Sequence, residues 1–97
     1  MELSTQQKKK LRSIAHGLSP IVTIGQHGIK ETTHKEINKA LDFHQILKVK
    51  IATGDKDERM ALTELIAKQH NASIIQSIGN MAVFYKKNTD KPDITKN

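Results

Sequence analysis

The chain has 97 residues, with 16 Lys+Arg against 10 Asp+Glu for a formal net charge of +6, two Phe, one Tyr and no cysteine. That length holds one domain with one modest core, which excludes a deep active site walled by several long loops. Disulfides and thiolate chemistry are excluded, no apolar run is long enough to span a bilayer, and Met1–Thr5 lacks a signal-peptide core, so the expected location is the cytoplasm.

Ser4 or Thr5 can cap a first helix whose Leu11, Ile14, Ala15 and Leu18 recur at helical spacing, with Gly17 and Pro20 as stop signals. Its other face carries Lys8, Lys9 and Arg12. Ile21-Val22-Thr23-Ile24 is β-branched and bounded by Pro20 and Gly25, so it reads as a buried strand. Ile29, Thr33, Ile37, Ala40, Leu41 and His44 trace a second helix, with Lys30 expected in its first turn and His44 on the packed margin. In Ile46–Ile51, Leu47, Val49 and Ile51 share one face of a strand while Lys48 and Lys50 share the other. Thr53-Gly54 ends that strand, and Asp55 with Glu58 resembles a capping box opening a third helix that stops near His70-Asn71. Ala72–Ile78 and Met81–Tyr85 form two strands joined at Gly79-Asn80. The order is α-β-α-β-α-β-β, an α+β arrangement with one sheet and helices packed on it. Residues 1–87 make the domain, and the polar residues 88–97 are expected to be a disordered tail.

The chemistry concentrates between the first strand and the second helix, in Ile24-Gly25-Gln26-His27-Gly28-Ile29-Lys30. A G-x-x-G turn there places backbone N–H groups and the positive end of a helix dipole beside a gap free of Cβ atoms, which suits a phosphate. On its own such a four-residue pattern equally fits a turn that merely needs glycine. Neither a Walker loop nor a dinucleotide fingerprint accompanies it, so it suits a backbone segment better than a triphosphate. The basic balance favours nucleic acid, and the scarcity of aromatics argues for contact through backbone and shape rather than stacked bases. His16, His27, His34, His44 and His70 have no metal-ligand spacing, and Asp55, Asp57 and Glu58 are accounted for at a helix start. No catalytic residue, metal or cofactor is assigned.

Four blocks in order then carry a resemblance: Leu18-Ser19-Pro20-Ile21-Val22 leading into Ile24-Gly25-Gln26-His27-Gly28, Ala40-Leu41, His44–Lys50, and Ile75–Gly79 followed by Ala82-Val83-Phe84-Tyr85. Over roughly residues 3–86 the chain resembles the CRM domain (chloroplast RNA splicing and ribosome maturation) in its small bacterial stand-alone form, the YhbY family. The resemblance implies a two-layer α/β sandwich with a four-stranded mixed sheet, similar to the C-terminal domain of bacterial translation initiation factor three. It implies RNA binding, and for the stand-alone members association with precursors of the large ribosomal subunit. By position, Gly25, Gln26, His27 and Gly28 form the contact loop and Lys48 and Lys50 the basic strand. Lys30, Lys8, Lys9 and Arg12 would extend the footprint. Family members usually hold Lys where Gln26 stands, Thr where Lys30 stands, and Arg where Asn80 and Lys86 stand. The expectation is a monomeric, non-enzymatic RNA-binding assembly factor with no membrane or small-molecule partner. The alternative is a protein-interaction module docking on a ribosomal protein or assembly GTPase, and a hydrolase ranks last.

Overall fold

A computed structural model describes residues 2–96. The elements are α1 (Thr5–His16), β1 (Val22–Ile24), α2 (Glu31–His44), β2 (Ile46–Ile51), α3 (Lys56–Gln69), β3 (Ser73–Ile78) and β4 (Met81–Tyr85). The four strands form one mixed sheet in the order β1-β2-β4-β3. β1 runs parallel to β2, with Val22 beside Val49 and Ile24 beside Ile51. β4 is antiparallel to both β2 and β3. β1, β2 and β3 therefore point the same way, and β4 is inserted between the last two.

This topology follows from the connections. Parallel neighbours need a crossover, and α2 and α3 supply the two crossovers. Both step across the sheet in the same direction, so the right-handed rule sends both helices to the same face. The main core lies there: Val22, Ile24, Leu47, Val49, Ile51, Ala82 and Phe84 from the strands meet Ile37, Leu41 and Ile66 from the helices. This is the two-layer sandwich the resemblance implies. α1 precedes the first strand, lies outside both crossovers, and adds half a layer on the opposite face. Its Leu11 and Ala15 pack on Ile46, Ile75, Val83 and Tyr85. Alternation along β2 divides its residues as expected, with Leu47, Val49 and Ile51 in the main core and Lys48 and Lys50 on the α1 side.

Local signals explain the element ends. Ser4 Oγ accepts from the Gln7 N–H at 3.1 Å while Gln7 Oε1 accepts from the Ser4 N–H at 2.8 Å, a reciprocal cap for α1. Asp55 Oδ1 accepts from the Glu58 N–H at 2.9 Å, but no bond returns from Glu58, so only half of the expected box forms on α3. Asn71 takes a left-handed φ of 53°, as its type allows, and Gly79 at φ 60° opens the β3–β4 turn with the pattern of a type II′ hairpin.

Two features depart from the sequence expectation. Residues 88–96 lie against the body rather than standing off as a tail. The anchor is Gln45, the residue that ends α2 at a left-handed φ of 65°. Its Nε2 donates to the Pro92 carbonyl at 2.9 Å, its Oε1 accepts from the Asn88 N–H at 3.1 Å, and its carbonyl accepts from the Lys86 N–H. Asn88 Nδ2 donates to the Asp42 carbonyl, Lys91 sits 4.5 Å above the Phe43 ring, and Ile94 packs on the α1-side cluster. A segment with one apolar residue shows no hydrophobic periodicity, and side-chain hydrogen bonds to a distant glutamine leave no mark in sequence. The second departure concerns histidine: His44 is exposed, and His70 is the buried one, at 4% exposure.

His70 joins α3 to α2. Its Nδ1 lies 2.7 Å from Asn38 Oδ1 and its Nε2 lies 2.8 Å from His34 Nδ1. A neutral His70 with its proton on Nδ1 satisfies both contacts, because Nε2 then accepts from His34. Burial, then the charges of His34 and Lys86, push the His70 pKa below its usual value. Because the folded form holds this proton less tightly than the unfolded chain, the network stabilises the fold above about pH 6.5 and weakens it as pH falls below that value. Urea unfolding at a series of pH values is expected to show this decline, and His70→Gln should remove part of it. A variant with wild-type pH dependence would assign the decline to other groups. Gln45→Ala keeps the left-handed strain and leaves two backbone groups unpaired; it is expected to cost about 2 kcal/mol in the same assay.

Candidate nucleic-acid interface

Parallel pairing of β1 and β2 sets their outgoing loops side by side. Ala52 N–H donates to the Ile24 carbonyl at 2.8 Å, and Ile51 N–H donates to the Asn80 carbonyl at 2.7 Å. The Gly25–Gly28 loop, the residue 52–55 loop and the Gly79-Asn80 turn therefore meet at one end of the sheet. The α2 and α3 N-termini begin at the same end. This is the carboxyl end of the parallel strands, where α/β folds place their ligands.

The loop closes with a Gly28 N–H bond to the Gly25 carbonyl at 3.0 Å. Its two glycines serve different purposes. Gly28 holds a φ of +72°, which L side chains rarely adopt. Gly25 has no such constraint, and a Cβ added at either position meets nothing within 4 Å. At Gly25, then, neither local backbone nor packing demands glycine. What glycine supplies there is an open approach to the backbone. Gln26 and His27 are exposed at the tip.

Lys30 stands at the N-cap of α2, one position before the first turn in which the sequence placed it. An ammonium has no acceptor for the helix N–H groups. Only the reverse bond forms, from the Lys30 N–H to Thr33 Oγ1 at 3.3 Å. The first turn of α2 thus has no side-chain cap, and a cation sits at the positive end of the dipole. Both conditions are locally unfavourable and both improve when an anion arrives.

Beside the loop runs an open groove lined by Gln26, Lys50, Thr53, Gly54, Arg59 and Asn80 among others. Arg59, in the first turn of α3, donates from Nη1 to the Gly54 carbonyl at 2.7 Å. Its Nε is buried without a hydrogen-bond partner. The guanidinium is thus fixed at one end and keeps unused donors. Sequence reading passed over Arg59 because the adjacent Asp55, Asp57 and Glu58 explained the helix start. The available signal was an arginine in a first turn, against the macrodipole.

The other predicted residues divide. Lys50 joins Gln26 in the groove. Lys48 does not: its Nζ donates to the Leu18 carbonyl at 3.0 Å and holds the α1–β1 connection to the sheet. Lys8, Lys9 and Arg12 are exposed on α1 and none of them lines the groove. They share the α1 side of the sheet with Lys48 and Lys50. Among the described residues no helix is long and apolar enough to cross a membrane, and no three His, Cys, Asp or Glu side chains converge as metal ligands.

The model of the CRS1/YhbY (CRM) domain matches residues 3–86. The chain belongs to this family. It is 39% identical over 88 residues to a probable RNA-binding protein of Pseudomonas aeruginosa, covering 91% of this chain and 85% of that protein. An RNA-binding protein of Haemophilus influenzae is 37% identical over 84 residues, covering 87% and 85%. The solution structure of a Staphylococcus aureus protein, described as a candidate RNA binding protein, superposes with a TM-score of 0.78 at 33% identity, covering 91% of this chain and 92% of that one. The CRM architecture of three helices on a four-stranded mixed sheet is therefore shared with a solved relative.

The two loop glycines are separable by experiment. Gly28→Ala forces a left-handed alanine and is expected to lower unfolding stability by about 1–2 kcal/mol. Gly25→Ala should leave stability within about 0.5 kcal/mol of wild type. Equal losses for the two variants in urea titrations would contradict the distinction.

Proposed function

We propose that this protein is a non-enzymatic RNA-binding factor that captures structured RNA at the carboxyl end of its sheet and assists assembly of the large ribosomal subunit on precursor rRNA. The observation that carries the RNA reading is the conjunction at that end: an open G-x-x-G loop, an uncapped α2 N-terminus, and Lys50 and Arg59 flanking Gln26 in one groove. Phosphate oxygens satisfy the N–H groups of the loop and the first turn of α2. Lys30 and Lys50 neutralise charge, and the Arg59 fork offers paired donors to phosphate or a base edge. Gln26 is neutral, so Lys50 and Arg59 carry the positive charge of the groove. The names of the relatives support RNA as the ligand class. The choice of large-subunit precursor rests on the family resemblance.

Competing RNA against salt tests the reading. Wild-type affinity should fall steeply with salt, and Lys50→Gln and Arg59→Gln should each reduce the log–log slope by about 1. Gly25→Asp, at a position free of backbone strain, should weaken binding by more than tenfold at about 0.1 M salt without loss of stability. Affinity that stays flat with salt would overturn RNA binding. In-cell crosslinking followed by sequencing should enrich large-subunit precursor rRNA; enrichment of tRNA or small-subunit RNA would redirect the assignment.

The protein-docking alternative has one observation in its favour. Ile21 at 56% exposure and Phe43 at 65% flank an apolar groove with Val22 and Ala40 beside edge strand β1. A partner bound there should tolerate Gly25→Asp and be lost with Phe43→Ser.

A further inference from the structure

The opposite end of the sheet holds a second polar hollow. Register fixes its location: Ile46 of β2 pairs with Tyr85, and Tyr85 pairs with Ser73. These are the incoming ends of β2 and β3 and the outgoing end of β4. The hollow is walled by Lys86 and Lys87, by Asn71, Ser73 and Thr89, and by Tyr85. A neighbouring hollow shares Leu3 and Ser73 with it and is lined also by Lys8, Glu2 and Ile74. The α1 cation Lys8 and the two strand-end lysines thus border adjacent hollows that share Leu3 and Ser73.

The chemistry of this wall is one-sided. Ammonium, hydroxyl and amide groups line the first hollow, and no carboxylate does. Glu31 with Lys35 is the one ion pair among the described residues, so Lys8, Lys86 and Lys87 have no carboxylate partner there. Asp93 lies close enough to feel the charge of Lys87, but its Oδ1 already accepts from the Thr95 N–H and hydroxyl. Burial, and then the negative charge of Asp93, raise the Tyr85 pKa, so its hydroxyl stays a neutral donor at physiological pH. A recess rich in donors and poor in acceptors suits an anion with several oxygens.

The geometry points to this hollow as a second phosphate subsite, in which Lys86, Lys87 and Lys8 hold the backbone of the same RNA that the Gly25–Gly28 loop engages. The inference rests on the RNA-binding reading. Five residue steps along β2 separate the two ends, about 17 Å at ~3.3 Å per residue. B-form DNA advances ~3.4 Å per base pair and A-form RNA somewhat less, so RNA of about six base pairs or more can reach both. The exposed Lys9 and Arg12 lie on α1, which contacts both β2 and β3 on this side and lets the footprint run between the ends.

The test uses the full chain and a labelled RNA hairpin of about 12 base pairs, titrated from about 0.05 to 0.3 M salt. Lys86→Gln/Lys87→Gln is compared with wild type and with Gly25→Asp, and unfolding midpoints are measured for all three. The double variant is expected to bind roughly 5- to 20-fold more weakly at about 0.1 M salt, with a log–log slope reduced by about 1.5. Lys87→Gln alone alters an exposed side chain and should show about half the slope change, which keeps the test decisive should the double variant unfold. Unchanged affinity and slope in the lysine variants, with Gly25→Asp still weak, would overturn the subsite and leave the loop reading standing. Loss of a protein contact with RNA binding intact would assign the hollow to an acidic protein and overturn it equally. A wild-type chain that binds no RNA would remove both.

Discussion

The parallel pairing of a three-residue strand with β2 is the constraint on which the rest of the molecule depends. It is held by few bonds, the Ile21 N–H to the Lys48 carbonyl and the Ala52 N–H to the Ile24 carbonyl among them. Its direction nevertheless decides where the loops go. Because β1, β2 and β3 all point one way, the glycine loop, the residue 52–55 loop and the hairpin turn reach the same end, and α2 and α3 start there. An antiparallel β1 would send the glycines to the far side, away from Lys50, Arg59 and Asn80.

The same constraint separates the two faces. Crossovers in a single direction bring α2 and α3 onto Phe84, Leu47 and Val49. The other face is left to α1, which covers Ile46, Ile75, Val83 and Tyr85. Lys48 marks the junction between them. It reads as an RNA-contacting lysine, yet it binds the Leu18 carbonyl and fixes the turn that brings the chain from α1 into β1. A lysine on the basic face of a strand can be structural, and only the position of its ammonium separates the two roles.

Local rules hold over most of the chain and fail where the candidate site lies. α1 has a complete cap at Ser4, and α3 has Asp55. α2 starts with a lysine that cannot cap, beside two glycines in open space. α3 carries Arg59 against its own dipole with Nε unpartnered. These locally unfavourable choices are grouped at one end of the sheet, where the proposed RNA contact would supply negative charge.

Much of this was legible in sequence because it depends on short-range physics. Alternation along Ile46–Ile51, the Ile37 and Leu41 part of the α2 stripe, the strand-to-helix glycine turn and the left-handed Asn71 each follow from a few adjacent residues. Four ordered blocks added the family and, through it, the mixed sheet. What tertiary structure decided involves residues far apart in the chain. Arg59 and Asn80 join Gln26 and Lys50 only because three strands end together. Gln45 ties down Asn88 and Pro92 across more than forty positions. His70 rather than His44 is buried, because the cross-helix contact to His34 and Asn38 has no period to read. Periodicity reports which face a residue occupies; which other residues share that place is set by strand direction and by hydrogen bonds between segments that sequence leaves far apart.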